Sequence, residues 1–447
     1  MKGKPLRHRT RRLLTCLEQI TGSLPVEHHP ELANLVNWGN IRDLPIHRWF
    51  RYREAFSPQL IKELSLGNRI LDPFCGCGSI MVGAAEMGRC SVGIDINPLA
   101  TFIARTKLAT LSYQQLEKAR SFLKRVQRSI ACSLPSALPV LNIATRVFEP
   151  QILDTLLKLR TAISQYSAHD LALGDFLFLA WLSILERVGS YYKEGNGIKY
   201  RNKKRLKDGY IKRVEGEWQL ARYGNDQRAF VAHAYEQQVS MMIDDAMLWE
   251  TGTWNKQRIV TGSALNLTQL LHGESFDSII FSPPYANRFD YFESLKVELW
   301  FGGFVTSYSD LRTLRKNSLR SHLGADLNRP YSELEPLEDL IRFMDQDSSS
   351  WRMGVPNALR GYFDDILHTL EQCRGLLRNG SCCVVVGNSA FAGVIVPTDA
   401  LVAYLGLQAG FKKASLYEAR HLTVAPQQRH VLSDLMPYMR ESVVILQ

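Results

Sequence analysis

The chain has 447 residues, of which 45% are hydrophobic and 22% charged, a composition typical of a folded globular protein with room for two or three domains. No apolar run is long enough to cross a bilayer, and no apolar segment of the signal-peptide type follows the basic N-terminus. These features argue against a membrane-spanning protein, and we expect a cytoplasmic location. The formal net charge of +10 favours a polyanionic partner.

The eight cysteines do not have the spacing of a disulfide framework or of a zinc site. Cys75 and Cys77 flank a glycine, but no second Cys or His pair stands at the spacing that would complete four zinc ligands. Cys382 and Cys383 fall in an apolar stretch that reads as a strand. We therefore expect free cysteines in turns and in the core, and no metal.

The first element that the pattern indicates lies at Arg48–Leu64. Aromatic and basic residues there surround Ser57-Pro58, a pair typical of a helix start. The segment predicts an amphipathic helix that packs on a sheet. Such a helix could also form one wall of a ligand pocket.

The next segment, Ile70–Asn97, reads as a strand, a glycine-rich turn, a helix and a second strand. Gly76 and Gly78 would let the backbone approach a ligand closely, and the free N–H groups of the following helix would face it. Asp95, about 20 residues later, is placed to bind ribose hydroxyls, as the acidic residue of dinucleotide-binding folds does. The glycines lack the G-x-G-x-x-G spacing, so a nicotinamide or flavin site is a poor match.

Helical periodicity then predominates as far as Trp254, with few strand signals after Ser112. The predicted helices are Pro98–Leu108, Gln114–Val126, Glu149–Ser164 and Leu171–Val188. This stretch is much longer than an ordinary connection between strands, which indicates an inserted domain or subdomain.

The middle of the insert, Tyr191–Arg228, is rich in Lys, Arg, Tyr and Gly, and its densest basic cluster is Lys199–Arg205. A solvated basic loop is the simpler interpretation of such a run. The basic residues are, however, interleaved with tyrosines, namely Tyr191, Tyr192, Tyr200 and Tyr210. We therefore favour a nucleic-acid surface, on which Lys and Arg would neutralise phosphates.

The sheet is predicted to resume at Ile259, and Phe276–Phe281 has the composition of a buried parallel strand. Ser282-Pro283-Pro284-Tyr285 follows directly. Two prolines after a strand end its hydrogen-bonded ladder and stiffen the turn. The turn would lie at the carboxyl end of a strand, where open α/β sheets place their ligands.

The remainder of the chain alternates between helical and strand patterns. Predicted helices are Glu293–Phe301, Gly361–Leu377 and Val396–Ala409, and predicted strands are Ser381–Val386, Phe411–Leu422 and Ser442–Leu446, the last two as an antiparallel pair. The basic stretch Thr306–Arg320 could be a surface connection, but we favour a mobile loop that closes over DNA. Asn287, Arg288, Asp290 and Tyr291 should line the same cleft as the Ser-Pro-Pro-Tyr turn, and Gln427–His430 is a candidate substrate contact.

Several of these segments together resemble one family. Asp72–Ser79 (DPFCGCGS), with Gly93–Pro98 (GIDINP) after it, resembles the S-adenosylmethionine motif of DNA amino-methyltransferases. Ser282–Tyr285 resembles their catalytic motif, in the form most often found in the cytosine-N4 group. Phe56–Leu60 resembles an upstream segment that contacts the cofactor, and Ile259–Ala264 resembles the strand and loop that flank its adenine.

The resemblance implies roles for individual residues. The implied cofactor contacts are Phe56, Asp72, Phe74, Gly76, Gly78, Asp95, Ile96, Ser263 and Ala264. The implied catalytic residues are Ser282, Pro283, Pro284 and Tyr285. The Ser282 hydroxyl and the Pro283 carbonyl would accept hydrogen bonds from the target amine, while Tyr285 would stack on the base. The residues that we expect to contact DNA are Lys199, Arg201, Lys203, Lys204, Arg205, Arg288 and Arg315.

The implied fold is α/β, a Rossmann-like class I methyltransferase sheet with a large, mainly helical insert. We expect an N-terminal segment with the cofactor-contacting helix over residues 1–69 and the first half of the core over 70–111. The basic and helical insert over 112–258 would be the target-recognition region. The second half of the core, with the catalytic turn, would occupy 259–447.

The implied activity is site-specific transfer of a methyl group from S-adenosylmethionine to N4 of cytosine in double-stranded DNA, with the base flipped out of the duplex. No Pro-Cys-Gln motif is present, which argues against cytosine-C5 methylation because that reaction needs a thiolate nucleophile. An adenine-N6 DNA or RNA amino-methyltransferase and a non-catalytic DNA-binding subunit of a defence system remain as alternatives. The resemblance allows for a cognate restriction endonuclease acting separately, and we expect a monomer.

Overall fold

The computed structural model describes residues 4–22, 24–52, 55–194, 197–201, 203–205, 211–213, 222–224, 226–249, 256–424, 429–430 and 432–447. Side chains are described for all of these except 4–9, 38, 203–205 and 211–213. Tyr210, Gln427 and Gln428, which the sequence suggested as contacts, lie outside the described residues.

An eight-stranded sheet forms the centre of the fold. The strands in chain order are β1 (Val26–His28), β2 (Arg69–Asp72), β3 (Cys90–Asp95), β4 (Tyr191–Glu194), β5 (Gly197–Tyr200), β6 (Lys203–Arg205), β7 (Ile211–Arg213), β8 (Gln257–Thr261), β9 (Ser278–Phe281), β10 (Cys382–Gly387), β11 (Ser389–Phe391), β12 (Val394–Val396), β13 (Ala414–His421) and β14 (Arg440–Leu446). The order in the sheet is β1-β13-β14-β10-β9-β2-β3-β8. Within this sheet only β14 runs antiparallel to its neighbours, and the other neighbouring strands are parallel.

The strand order reverses in the middle of the sheet. From β2 the chain moves outward to β3 and then to β8, and it returns on the other side of β2 as β9. Open α/β sheets bind ligands in the crevice at the carboxyl ends of the strands at such a reversal. The mainly parallel sheet with helices packed on it is the Rossmann-like methyltransferase fold that the sequence predicted, and β13 and β14 form the expected antiparallel pair.

Helices connect the strands and cover the sheet. They are α1 (Lys4–Thr21), α2 (Leu60–Glu63), α3 (Ser79–Glu86), α4 (Pro98–Leu108), α5 (Tyr113–Leu123), α6 (Val126–Cys132), α7 (Ala144–Val147), α8 (Pro150–Ser167), α9 (Leu171–Val188), α10 (Gln227–Met247), α11 (Leu267–Leu270), α12 (Tyr291–Ser294), α13 (Lys296–Phe301), α14 (Tyr308–Lys316), α15 (Glu335–Ile341), α16 (Ser349–Arg352), α17 (Val355–Leu376) and α18 (Thr398–Gln408). No helix among the described residues is both long and apolar enough to cross a membrane.

Alternate residues of the strands enter two separate cores, one on each face of the sheet, because successive side chains of a strand point in opposite directions. Ile70 of β2 packs in one core and Leu71 in the other. The first core continues into α8, α9 and α10, so the helices of the insert share it with the sheet. The described cysteines are free, and the described residues contain no group of three His, Cys, Asp or Glu side chains that could hold a metal.

The helix expected over Arg48–Leu64 is wrong for most of its length. Within its described part, the helical residues belong to a short 3-10 turn at His47–Trp49 and to the single turn α2. Pro58 restricts the residue before it to extended conformations, which prevents a continuous helix. Tyr52 and Phe56 are nevertheless buried.

The mobile loop expected over Thr306–Arg320 is also wrong. Residues 308–316 form α14, whose N-terminus carries a capping box between Ser307 and Asp310. Arg320, the last residue of this segment, is 1% exposed and lies within a cluster of ion pairs.

The insert contains more strand than the sequence indicated. β4 and β5 form one antiparallel hairpin, and β6 and β7 form another. The first hairpin is anchored on α13, since Glu298 accepts a hydrogen bond from Tyr191 (3.3 Å) and pairs with Lys193 (2.7 Å). Two-stranded ribbons this short have no long apolar alternation, and hydropathy patterns therefore miss them.

Candidate active site

A cavity of about 330 Å³ opens at the carboxyl edge of the sheet, around the reversal between β2 and β9. This volume lies within the range of small-molecule sites. Its lining comes from segments far apart in the chain: Val36, Asn37, Tyr52, Ala55, Phe56, Pro73, Phe74, Gly76, Asp95, Ile96, Asn97, Ser263, Ala264, Ser282, Pro283, Pro284, Tyr285, Asn287, Phe289, Tyr291, Phe292, Ser318, Leu319, Ser321, His322, Arg420 and Glu441.

The turn after β2 folds back onto the end of β3. The backbone N–H of Gly76 donates to Asp95 Oδ2 (2.9 Å), and that of Asn97 donates to Asp95 Oδ1 (2.8 Å). Gly76 has a φ of +49°, and a Cβ there would lie 3.0 Å from Cε1 of Tyr52. Glycine therefore allows both the turn and the close approach of the Tyr52 ring to the pocket floor.

The Asp95 carboxylate is fixed in place but remains part of the pocket lining. Burial raises the pKa of Asp95 to about 6, although its two backbone hydrogen bonds act in the opposite direction. Each carboxylate oxygen can accept more than one hydrogen bond. Asp95 can therefore still accept hydrogen bonds from hydroxyl groups of a ligand.

Asp72 and Gly78, both expected to contact a cofactor, do not line the cavity. The Asp72 carboxylate is buried behind the turn, where it accepts a hydrogen bond from the backbone N–H of Phe74 (3.0 Å). Gly78 caps α3 with a φ of +81°, and a Cβ there would lie 2.9 Å from Cβ of Ala104. Both shape the turn from behind instead of facing the cavity.

The loop after β8 is tied to a wall that sequence analysis missed. Ser263 and Ala264 line the cavity as predicted. The Ser263 hydroxyl donates to the backbone carbonyl of Asn317 (3.0 Å). The residues that follow Asn317 complete the wall, namely Ser318, Leu319, Ser321 and His322.

His322 is held in this wall as a neutral ring. Its Nδ1 accepts a hydrogen bond from the backbone N–H of Gly324 (3.1 Å), which leaves the proton on Nε2 to donate to Ser318 Oγ (3.2 Å). Burial lowers the pKa of His322, and nearby Asp290 opposes this shift. The pocket therefore meets an uncharged, oriented imidazole at neutral pH.

The Ser-Pro-Pro-Tyr turn follows β9 directly, and all four residues line the cavity. The Tyr285 hydroxyl donates to Oε1 of Glu441 (2.7 Å). A Cβ at Gly387 would lie 2.9 Å from Cε2 of Tyr285, so the glycine leaves room for the ring. Burial raises the pKa of Tyr285 well above its usual value, and the Glu441 carboxylate raises it further. Tyr285 is therefore a neutral phenol with a fixed orientation.

Glu441 also holds Arg420, whose Nε donates to Glu441 Oε2 (2.6 Å). Glu441 is the second residue of β14, whereas Arg420 is the residue before the last of β13. Because these strands are antiparallel, their opposite ends meet at the same edge of the sheet. Glu441 is 4% exposed, while the Arg420 side chain is 38% exposed at the cavity.

The basic residues expected to contact DNA are dispersed, and none of those whose side chains the structure describes lines the cavity. Lys199 is exposed and pairs with Glu194 (2.9 Å). Arg201 donates from Nε to the carbonyl of Tyr191 (2.8 Å) and lies over the ring of Tyr192. For Lys203, Lys204 and Arg205 the structure describes only the backbone, as strand β6.

The two arginines expected near the Ser-Pro-Pro-Tyr turn are engaged with the protein, and Asp290, expected in the same cleft, does not line the cavity. Arg315 pairs with Asp290 (2.9 Å) and Glu293 (3.1 Å). Arg288 has a φ of +67°, and its guanidinium lies 5.7 Å from the ring centroid of Phe391.

Sequence reasoning missed part of the lining, including Tyr52, His322, Arg420 and Glu441. One signal existed: Arg440-Glu441 places two charges at the start of an otherwise apolar strand, and buried charges usually have a partner or a function. The positions of Tyr52, His322 and Arg420 carried no comparable signal, since each reaches the site through tertiary packing.

No family model matches the chain. It is 26% identical over 429 residues to the Type II methyltransferase M.BsoBI of Geobacillus stearothermophilus, a match that covers 86% of this chain and 82% of that protein. It is 23% identical over 416 residues to the Type II methyltransferase M.AvaI of Nostoc sp., which covers 86% and 83%. A shorter match, 38% identical over 78 residues, covers 16% of this chain and 15% of the Type II methyltransferase M.MjaII of Methanocaldococcus jannaschii.

The chain is thus similar to Type II methyltransferases along most of its length. The part left unmatched is smaller than the insert, so the similarity extends beyond the strands of the sheet and into the insert.

Proposed function

We propose that this protein is a site-specific DNA methyltransferase that transfers a methyl group from S-adenosylmethionine to the exocyclic N4 of cytosine in duplex DNA. One observation carries the proposal: the Ser-Pro-Pro-Tyr turn after β9, the turn after β2 that contains Gly76, and Asp95 at the end of β3 all line one cavity at the reversal of the sheet. The similarity to Type II methyltransferases supports the same reaction class.

The half of the cavity formed by β2, β3 and β8 suits S-adenosylmethionine, which would supply an electrophilic methyl group. Asp95 is a fixed carboxylate that can accept hydrogen bonds from ribose hydroxyls. The backbone at Gly76 lies open to the methionine moiety, and Ser263 and Ala264 stand where the adenine would lie. Phe56, Phe74 and Ile96 provide apolar walls. Asp72 and Gly78 would act indirectly, through the shape of the turn.

The catalytic turn offers what an exocyclic amine needs. Such an amine is a poor nucleophile because its lone pair is delocalised into the ring. Ser282 Oγ and the carbonyl of Pro283 would accept hydrogen bonds from its two N–H groups and drive the nitrogen towards sp³ geometry. Tyr285 would stack on the base. Since a serine hydroxyl is a weak base, we assign proton loss to solvent, and the protein contributes mainly by positioning.

A target base inside a duplex has to be flipped out to reach this cavity. We propose the insert over 112–258 as the target-recognition region, with the N-terminal segment 1–69 and the core halves 70–111 and 259–447 around the cavity. The basic hairpins at Lys199, Arg201 and Lys203–Arg205 would contact phosphates. We also propose a cytoplasmic location, a monomer, and a restriction endonuclease acting separately on the same site.

The test is transfer of labelled methyl from S-adenosylmethionine to unmethylated duplex DNA, followed by nucleoside analysis of the digested product. Ser282→Ala and Asp95→Ala are assayed beside the parent protein. We expect N4-methylcytosine from the parent and loss of label in both variants, with cofactor affinity reduced only in Asp95→Ala.

Other products would overturn one part of the proposed function each. N6-methyladenine would keep the enzyme class and overturn the target base, and label in RNA alone would overturn the substrate. Normal cofactor binding without transfer to any unmethylated genomic DNA would favour a non-catalytic DNA-binding subunit.

A further inference from the structure

The order of the strands divides the cavity into two halves. Along the carboxyl edge, β8, β3 and β2 lead to Ser263, Asp95 and Gly76. On the other side of the reversal, β9, β14 and β13 carry the catalytic turn, Glu441 and Arg420. If the cofactor takes the first half, as proposed, the second half is left for the target base.

In this second half, hydrogen bonds connect the side chains of Tyr285, Glu441 and Arg420. Glu441 accepts the Tyr285 hydroxyl at 2.7 Å through Oε1 and Arg420 Nε at 2.6 Å through Oε2. A single buried carboxylate therefore fixes the aromatic ring and the guanidinium relative to each other. Arg420 makes no hydrogen bond through its Nη1 or Nη2 to the part of the chain that the structure describes. Its terminal donors are therefore available to a ligand at the edge of the Tyr285 ring.

We propose that Arg420 reads the Watson–Crick edge of the flipped base by donating from its terminal nitrogens to O2 and N3 of cytosine. This inference rests on the proposed function, and it assigns the choice of base to a residue outside the catalytic turn. Glu441 is the positioning residue, since it sets Arg420 beside the ring on which the base stacks.

The hydrogen-bond pattern of the bases makes this contact selective. In cytosine, O2 and N3 are adjacent acceptors, which match the parallel donors of a guanidinium. In thymine, N3 carries a proton and would oppose a donor. In adenine, the two ring acceptors N1 and N3 are separated by a C–H, so a guanidinium fork cannot engage both. The amine at C4 of cytosine would then remain free to face Ser282.

A phosphate contact fits the arrangement less well. Glu441 is 4% exposed and directly paired with Arg420, so it offsets much of the charge that would attract an anion. It leaves the directional N–H donors unchanged. A guanidinium neutralised in this way suits the edge of an uncharged base better than it suits a phosphate.

The test measures equilibrium binding of the full-length protein to unmethylated duplexes that contain the sequence it methylates, in the presence of S-adenosylhomocysteine. The target position is either cytosine or 3-deazacytosine, in which a C–H replaces N3. The variants are Arg420→Met and Arg420→Lys. Arg342→Met is the matched control because Arg342 lies on the surface beyond α15, with 76% of its side chain exposed. The weaker base pair of the analogue affects all the proteins alike and cancels in the comparison.

The ratio measured is the affinity for the cytosine duplex divided by the affinity for the 3-deazacytosine duplex. We expect this ratio to be larger for the parent than for Arg420→Met by roughly tenfold or more, because only the parent loses a hydrogen bond from a charged donor when N3 is replaced. Arg420→Lys should resemble Arg420→Met, since an ammonium cannot present the fork. Arg342→Met should resemble the parent. If Arg420→Met does not fold, Arg420→Lys decides alone.

Equal ratios in the parent and both Arg420 variants would overturn the assignment and indicate a phosphate contact, as would a parent-like Arg420→Lys. Failure of the proposed function would be seen separately, in the methyl-transfer assay of the parent protein. Transfer of methyl to adenine, or to no DNA, would overturn that function and the role of Arg420 with it.

Discussion

The buried cluster around Arg320 supports the wall of the cavity, and its removal has a predictable cost. Arg320 is 1% exposed. Its guanidinium donates to Asp365 (2.8 and 3.1 Å), to Asp364 (2.7 Å) and to the carbonyls of Arg329 (2.8 Å) and Pro330 (3.0 Å). Arg320→Met removes all five contacts and leaves the buried Asp365 paired with Arg329 alone among its described side-chain partners. Breaking a buried ion pair from one side costs about 3–5 kcal/mol.

Urea unfolding followed by tryptophan fluorescence measures this cost, and calorimetric titration with S-adenosylmethionine measures its effect on the cavity. Since Ser318 and His322 line the cavity on either side of Arg320, cofactor affinity should fall as well. Arg342→Met, whose ion pair with Asp339 is exposed, should lose no more than about 1 kcal/mol and bind normally. A loss below about 1 kcal/mol for Arg320→Met, or unchanged cofactor affinity, would show that the buried cluster does not support the cavity wall.

Three further predictions concern the cavity and the proposed DNA-binding hairpin. Burial raises the pKa of Asp95 to about 6. Cofactor affinity should therefore fall as the pH drops through about 6, because protonation of Asp95 removes the proposed acceptor for ribose hydroxyls. In binding titrations from pH 7 to 5, Asp95→Asn should not show this fall in affinity. Tyr285→Ala should lower the rate of methyl transfer roughly 5- to 150-fold through lost stacking, and Tyr285→Phe less; a larger loss in the phenylalanine variant would argue against stacking. Neutralising Lys203, Lys204 and Arg205 together should reduce the slope of log affinity against log salt by about 2–3, and an unchanged slope would remove the hairpin from the DNA surface.

The sequence predicted helix ends and tight turns, because neighbouring residues determine these features. The helices Pro98–Leu108 and Leu171–Val188 have the bounds that the sequence indicated. Asn97 and Asp170 cap them through side-chain hydrogen bonds, and such capping residues are readable from the sequence. The turns after β2 and β9 were recognisable for a similar reason, because glycine and proline restrict the backbone directly.

Contacts between distant segments could not be predicted from the sequence. Tyr285 and Glu441 are 156 positions apart, and their hydrogen bond exists only because β14 runs antiparallel into the sheet. Arg320 is one basic residue among several in its segment, and only the packing on α17 separates its buried role from the exposed roles of its neighbours. The interpretation of that segment as a mobile DNA-binding loop failed for this reason.

We propose that one cavity holds the cofactor over β8, β3 and β2 and the flipped cytosine over β9, β14 and β13. A crystal structure of the protein with S-adenosylhomocysteine and its cognate duplex would show both ligands at once. We expect ribose hydroxyls on Asp95, the cytosine amine facing Ser282 and the Pro283 carbonyl, and the cytosine O2 and N3 at Arg420. A cofactor bound away from Asp95, or a flipped base outside the half lined by Tyr285 and Arg420, would contradict it.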